Sequence, residues 1–433
     1  MRRQRKNAAA APAAAPAEPG TRTLCCVQIN VWTGSTYELE PEGGSTLTHL
    51  FRGRFGSFET KTEGELRRKA LVVQLRRLRP AVLSVNEAPS EQWVHALADE
   101  LGLQAVWHPG VAVVRAGPIV LPSASLGGNI EEGDAVLFHP ALTCEAAVRR
   151  RLSGSVYGSR LAVNLGDATQ AVGVRLRTPD GLRLVVVSTH WQALPIEDAA
   201  GLATATKLEM QKGAEVGAEA RRVLREGSMQ RLEEAHGVLR TVHTLVRGAE
   251  HGGGGVGNNT TPDDTSVLVM GDLNTTPATP EIEALLAPDN VIGGLRDSWA
   301  DFNASSRQHD ERNATVGDAV DQGGVTWDPN QNPHVRRQRA SKVGGGGAGA
   351  GAPQHGAGAA GMPPTAVAKA LAAAMDGQRM RLDYVLVSDK ITVRSCRVVM
   401  SGDSDGVDAV PSDHYGVAAE LVLPSPTRHS SRM

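Results

Sequence analysis

Val267-Leu-Val-Met-Gly-Asp-Leu-Asn274, followed by Thr275-Thr276-Pro277, is the stretch on which the fold turns. An apolar run carrying Val267 and Val269 reads as a buried strand. Gly271 then frees the backbone, and Asp272 and Asn274 stand just past the strand's end. Residues two apart in extended chain project to the same side, so this acid and this amide can face one ligand. A carboxylate that closes an apolar strand calls for a cation or a proton donor to meet it. Taken alone, Gly271 to Asn274 reads equally well as an ordinary turn, because all are turn-forming types. Its company decides.

Outward from this stretch the same arrangement recurs. Residues 24–32 form a strand candidate whose end carries Asn30, and residues 34–65, rich in Gly, Ser, Thr and Glu, read as a long connection. The spacing predicts a helix over 66–78 with Leu66, Ala70, Val73 and Leu78 on its apolar side, ended by Pro80. The strand at 81–85 then delivers Asn86 and Glu87. A helix at 90–101 opens on Ser90 and an acid and closes at Gly102. Short strands are expected at 111–114, 135–138, 160–165, 171–177 and 182–187, with a turn at Pro179-Asp-Gly181. The last of them leads into His190 and Trp191. Residues 205–247 read as helix, 281–286 as a short helix, and 295–301 as a mixed segment. Thr326-Trp-Asp-Pro-Asn-Gln-Asn-Pro333 is a turn-rich loop, and closing strands are expected at 382–387, 392–400 and 415–423.

Composition bounds the rest. The chain has 433 residues and a net charge of -2, and no apolar stretch is long enough to span a bilayer. Near-neutrality argues against a protein that coats long nucleic acid electrostatically, but leaves room for a local basic cleft. The alternation of strands and helices, with polar residues supplied from both ends, points to one domain at about 21–424. Gly-rich stretches at about 248–264 and 336–378 read as disordered insertions, with an Ala-rich helix at 366–375 as a local exception. Residues 1–20 and 425–433 read as tails. The basic, acid-poor first tail is compatible with a short organelle-targeting segment, but it lacks serines and an amphipathic period. A cytoplasmic, monomeric protein is the expectation. Cys25, Cys26, Cys144 and Cys396 show no ligand spacing and read as buried thiols of a reducing compartment.

The polar residues are ordered. Asn30, Glu87, His190 and Asp272 stand at or just past the ends of apolar strands, whereas Asp383 and Asp413-His414 stand at the beginnings. If the closing strands run antiparallel to the earlier ones, all of them reach one edge. Acids crowded in this way need a divalent cation. The donor set is oxygen-rich and free of sulfur, which favours Mg²⁺ or Mn²⁺ over Zn²⁺. Such ions suit phosphate esters, and two histidines allow one base and one phosphate donor.

Asn30, Asn86-Glu87, Ser188-Thr-His190, Gly271-Asp-Leu-Asn274, Arg381-Leu-Asp383-Tyr and Ser412-Asp-His414 together resemble, in order, the motif series of the endonuclease/exonuclease/phosphatase superfamily. That resemblance implies a four-layer α/β sandwich, with two central mixed β-sheets flanked by helices and a site at the strand ends. It implies that Glu87 is the principal metal ligand, with Asn30 close by and Asp413 as a further metal-site carboxylate. His414 would activate water, oriented by Asp383. Asp272 and Asn274 would position the nucleophile, the phosphoryl group and a second ion, and His190 would bind phosphate. This chain departs from the pattern at Asn86, where many members carry glutamine, and at Trp32, where some nucleases carry an acid. Arg381 reads either as a phosphate ligand or as a brace. The loop at Thr326–Pro333 and the closing motifs are similar to neutral and bacterial sphingomyelinases, which implies a phosphocholine lipid as substrate, with Asp328 in a loop near the site and its asparagine neighbours shaping the substrate pocket. Gly271-Asp-Leu-Asn-Thr-Thr-Pro277 resembles deadenylase-like members, which makes a nucleotide or RNA phosphodiester the alternative. A non-catalytic binding module on the same fold is the alternative of another class, and the competent residue at every principal position speaks against it.

Overall fold

The computed structural model describes residues 23–31, 61–110, 113–116, 119–122, 133–154, 164–166, 168–247, 265–290, 292–310, 324–336, 364–375, 377–401 and 410–424. Trp32, the connection at 34–60, both tails, the stretches at 248–264 and 337–363, and the start of the strand expected at 160–165 lie outside them.

In chain order the elements are β1 (Thr23–Asn30), α1 (Lys61–Leu78), β2 (Val82–Ala88), α2 (Glu91–Leu101), β3 (Gln104–Pro109), β4 (Val113–Ala116), β5 (Ile119–Pro122), β6 (Gly133–Phe138), β7 (Thr143–Gly154), β8 (Asn164–Gly166), β9 (Ala168–Arg177) and β10 (Arg183–His190). They continue with α3 (Ala199–Lys212), α4 (Ala214–Arg247), β11 (Thr265–Asp272), α5 (Pro280–Leu286), β12 (Arg296–Asp297), α6 (Ser298–Asp310), α7 (Pro364–Met375), β13 (Asp383–Val387), β14 (Thr392–Val399) and β15 (Gly416–Val422). One six-stranded sheet runs β14-β15-β1-β2-β6-β3 and a second runs β12-β13-β11-β10-β9-β7, while β5-β4-β8 form a small third sheet. Each large sheet is centred on a parallel pair, β1/β2 and β10/β11, with antiparallel strands on both sides.

The central strands are apolar because both of their faces are covered. Alternate residues serve two different cores. Cys26, Val82 and Val136 of the first sheet meet Val172, Leu184 and Met270 of the second between the sheets. On the outer side, Ile29, Leu83 and Val85 pack under Leu71 and Leu75 of α1 and Leu97 of α2. Val185, Val187 and Val267 pack under Val238 and Val242 of α4 and Leu285 of α5. The result is the expected four-layer sandwich, helices over sheet, sheet over helices.

Several local expectations are corrected. On α1 the buried stripe is Ala70, Leu71, Val72, Gln74 and Leu75, whereas Leu66 is 57% and Val73 41% exposed. The docking of the helix on the first sheet, not its own apolar content, selects the stripe. The long helical stretch is two helices, because Gly213 between them has a φ of 101°, which no helix admits. Strands β3, β5 and β7 were not anticipated. In β7 the run Arg149-Arg150-Arg151 hides a strand whose guanidiniums find partners outside it: Arg149 Nε donates to the Trp107 carbonyl at 2.8 Å and Arg150 Nε to Thr241 Oγ1 at 3.0 Å. Helix α7, by contrast, lies where the Ala-rich helix was expected within the second insertion, and its Val367 and Leu371 bury against Ala205, Val216 and Leu224 of α3 and α4. Cys26 and Cys396 are buried thiols, but Cys144 is exposed.

Candidate active site

The inter-sheet layer is apolar along most of its length and turns polar at one end. Gln28, Asn30, Ser84, Asn86, Asp134, Ser188, Asp272 and Asp383 are all buried, and all continue the inward-facing register of apolar neighbours. The antiparallel pairing of β13 with β11 sets Asp383 opposite Asp272. The parallel pairing of β10 with β11 sets His190 beside Asp272. That of β1 with β2 sets Asn30 beside Asn86.

Glu87 reaches this edge through a break in its strand. The β2/β6 register shifts between Val85 and Ala88, and Glu87 takes a φ of 54°, left-handed backbone that costs a non-glycine residue energy. The irregularity frees Glu87 from strict alternation, so that it and Asn86 serve the same end of the sheet. Asn274 has a φ of 45° just beyond β11. Glu87 and Asn274 both lie in the polar cluster.

Two groups of side chains meet there. In the first, Asn30 Nδ2 donates to Glu87 Oε1 and to Asp272 Oδ2, each at 2.9 Å. His190 Nε2 lies 3.7 Å from Glu87 Oε1 and 3.8 Å from Asp272 Oδ2. Asn274 is held by Asp272 Oδ1, which accepts from its backbone N–H at 3.0 Å, and its Nδ2 lies 3.1 Å from His190 Nε2. In the second, Asp383 Oδ2 lies 2.8 Å from His414 Nδ1, and His414 Nε2 lies 3.6 Å from Asp272 Oδ2. A carboxylate only accepts, so Nδ1 carries the hydrogen and Nε2 is left facing Asp272. Glu87, His190 and Asp272, and separately Asp272, Asp383 and His414, are each spaced to hold a metal ion. Asp413 belongs to neither group; its Oδ1 accepts from Ser412 Oγ at 3.3 Å.

The electrostatics follow from burial and like charge. Burial raises the Asp272 carboxyl above the ordinary carboxylate range, His414 draws it back, and Asp383 raises it again. Burial by itself would lower His414. The carboxylates of Asp383, Asp272 and Asp413 outweigh that and hold it well above the usual imidazole range. Asp134 is pushed up to about 6, chiefly by burial, against the lowering pull of His190.

Other expectations resolve as follows. Arg381 is a brace: its guanidinium grips buried Asp297 with Nη1 at 3.0 Å and Nη2 at 2.6 Å. Asp328 stands in a loop that reaches the site through Trp327; its carboxylate is buried and accepts from the backbone of Asn330 and Gln331 and from Arg379 Nε. Trp191 is core, whereas half-buried Trp327 sets its ring edge-on to His414, centroids 5.0 Å apart. The loop joins the two closing motifs. Thr326 Oγ1 accepts from the backbone of Leu382 and Asp383, and Asn332 Nδ2 donates to the carbonyls of Ser412 and Asp413 at 3.0 and 2.9 Å.

Residue-by-residue reading gave no role to Gln28, Asp134 or Thr326. A signal existed for Gln28, since it shares strand parity with Asn30 inside an apolar run. Asn86, the departure from the familiar glutamine, is a junction. Its Oδ1 accepts from the Asp272 backbone N–H at 3.0 Å and from Gln28 Nε2 at 2.8 Å, and its Nδ2 donates to Asp134 Oδ1 at 2.8 Å.

The model described as the Endonuclease/Exonuclease/phosphatase family matches residues 27–414. The chain is similar to the human Nocturnin catalytic domain, with 14% identity, a TM-score of 0.47, and coverage of 93% of this chain and 95% of that one. It is similar to truncated Caenorhabditis elegans TDP2, with 15% identity, a TM-score of 0.44, and 93% and 98% coverage. It is also similar to the mannosyl-6-phosphatase Bt3783 of Bacteroides thetaiotaomicron, with 12% identity, a TM-score of 0.47, and 92% and 100% coverage. No curated protein matches the chain.

Proposed function

The chain belongs to the endonuclease/exonuclease/phosphatase family, and from that premise we propose that it is a divalent-metal-dependent phosphodiester hydrolase. The observation that carries this reading is the His414–Asp383 pair, 2.8 Å apart, aimed at Asp272 where the two polar clusters join.

Asp383 holds His414 by Nδ1, so Nε2 is the nitrogen that takes a proton from the attacking water. Asp272 and Asn274 fix the water and the phosphoryl group between them. His190, beside Glu87 and Asp272, binds the phosphoryl group. The donor set fits a hard cation: Glu87 and Asp272 offer carboxylate oxygens and no sulfur, and Asn30 Nδ2 bridges the two. Mg²⁺ or Mn²⁺ held there would supply positive charge to the phosphoryl oxygens. The same charge would offset the carboxylates that hold His414 protonated, bringing the imidazole towards its neutral, basic form. Asp413 acts on His414 through its charge.

The closing motifs favour a phosphocholine-bearing sphingolipid as the ester, with RNA as the second class. Sphingomyelin, poly(A) RNA and bis(4-nitrophenyl) phosphate, each with purified protein and Mg²⁺ or Mn²⁺, separate the two. Phosphocholine release without RNA shortening supports the lipid, and shortening without phosphocholine overturns it. His414→Ala is expected to abolish turnover of whichever ester is cleaved, with an unchanged circular dichroism spectrum. Wild-type turnover in that variant removes His414 as the base, and no hydrolysis of any ester by the wild type removes the hydrolase reading.

A further inference from the structure

We propose that Gln28 is a positioning residue for the hydrolytic reaction, a buried amide that fixes the Asp383 carboxylate and through it the His414 imidazole. The proposal rests on the His414–Asp383 pair acting as the base.

Gln28 lies in the middle of β1 between Val27 and Ile29, is fully buried, and faces the inter-sheet layer. An uncharged amide in such a place costs stability unless its hydrogen bonds are made. Its Nε2 donates to Asn86 Oδ1 at 2.8 Å and to Asp383 Oδ1 at 3.1 Å. The orientation of both amides is dictated by their partners. The Asp272 backbone N–H can only donate, so the Asn86 atom 3.0 Å from it is the oxygen. Asn86 Nδ2 then faces Asp134 Oδ1, as a carboxylate requires. The Gln28 atom that meets Asn86 Oδ1 must be the nitrogen, and a reversed Gln28 would also set oxygen against oxygen at Asp383.

Both Asp383 oxygens are therefore assigned, Oδ2 to His414 and Oδ1 to Gln28. Thr326 Oγ1 fixes the Asp383 backbone, accepting from its N–H at 3.1 Å. With Gln28 in place the carboxylate cannot rotate about its Cβ–Cγ bond without losing a buried hydrogen bond. The imidazole it holds is correspondingly fixed. Gln28 is neutral, so it orders the carboxylate without competing for its charge, which leaves that charge to His414. It also ties β13 of the second sheet to β1 and β2 of the first at the level of the base.

The test combines kinetics and a spectroscopic signature. Gln28→Met keeps volume and removes the amide; Gln28→Asn keeps the amide but is one methylene short and carries the same expectations should Gln28→Met fail to fold. With bis(4-nitrophenyl) phosphate and Mg²⁺, kcat is expected to fall roughly 10- to 100-fold, the usual range for partners of an active-site ligand, with KM little changed. In an Asp383→Asn background, the further effect of Gln28→Met is expected to vanish. In protein without added metal, the downfield proton resonance of His414 Nδ1–H is expected to move in Gln28→Met and to disappear in Asp383→Asn. An unmoved resonance, or kinetic effects that simply add, overturns the proposal. If the resonance moves but neither Gln28→Met nor His414→Ala alters kcat, the positioning stands and the base reading fails.

Discussion

Asp134 shows what a single buried carboxyl does to this fold. Its Oδ1 takes the Asn86 amide, and the group is otherwise enclosed between the sheets, which pushes its pKa from 3.8 up to about 6. The folded state binds this proton more tightly than the unfolded chain does. Its penalty is therefore absent below about 3.8 and fully present above about 6, and stability is lost as the pH rises through that window. Asp134→Asn preserves an acceptor for Asn86 and removes the charge. We expect it to stabilise the protein at pH 8, by up to roughly 3 kcal/mol, and to leave it unchanged near pH 4. Urea denaturation at both pH values in EDTA measures this, and equal stabilisation at the two would exclude the carboxyl as its source. Single residues of this kind were only half legible. Asp272, His190 and His414 stood out because each closes or opens an apolar strand, whereas Asp134 and Asn332 act through partners far along the chain.

At the scale of the element, Gly271 sets how closely β10 and β11 approach beneath the site. A Cβ there would lie 1.9 Å from the Thr189 carbonyl oxygen, in the strand that pairs with it. Gly271→Ala must force the two strands apart, at a cost on the order of 3 kcal/mol. Gly102, the cap of α2, has a φ of 68° and open space around a Cβ, so Gly102→Ala meets only backbone strain, on the order of 1 kcal/mol. Denaturant midpoints are expected to rank Gly271→Ala well below Gly102→Ala, and the reverse ranking would show that the close approach relaxes cheaply. Strand existence was readable wherever both faces are covered, as in β1, β2, β10 and β11. It was unreadable in β7, where consecutive arginines reach partners off the sheet, and the buried stripe of α1 was misplaced.

At the scale of the whole molecule, the site is a seam. Asn30 and Glu87 belong to the first sheet, His190, Asp272 and Asp383 to the second, and side-chain bonds such as Asn30–Asp272 and Gln28–Asp383 cross between them. A cation held by Glu87 and Asp272 binds the assembled sandwich and not the separated sheets, so it stabilises the fold by linkage. At 100 times its dissociation constant that amounts to about 2.7 kcal/mol. Mg²⁺ is therefore expected to raise Tm over an EDTA control matched in ionic strength, and Glu87→Gln to abolish the rise. A Tm indifferent to Mg²⁺ in the wild type would place the ion elsewhere or nowhere.

By itself the sequence determined the layered α/β class, the strands of the two parallel centres and the edge at which their polar ends collect. Those features are local: apolar runs interrupted by a carboxylate, an amide or a histidine announce themselves within a few residues. The tertiary structure alone decided which polar groups face one another. It made Arg381 a brace on Asp297, turned Glu87 into the cleft through a break in β2, and seated Gln28 on Asp383, 355 positions away. Hydrogen bonding is short-ranged and directional, so such partnerships are settled by register and packing, which no stretch of sequence carries alone.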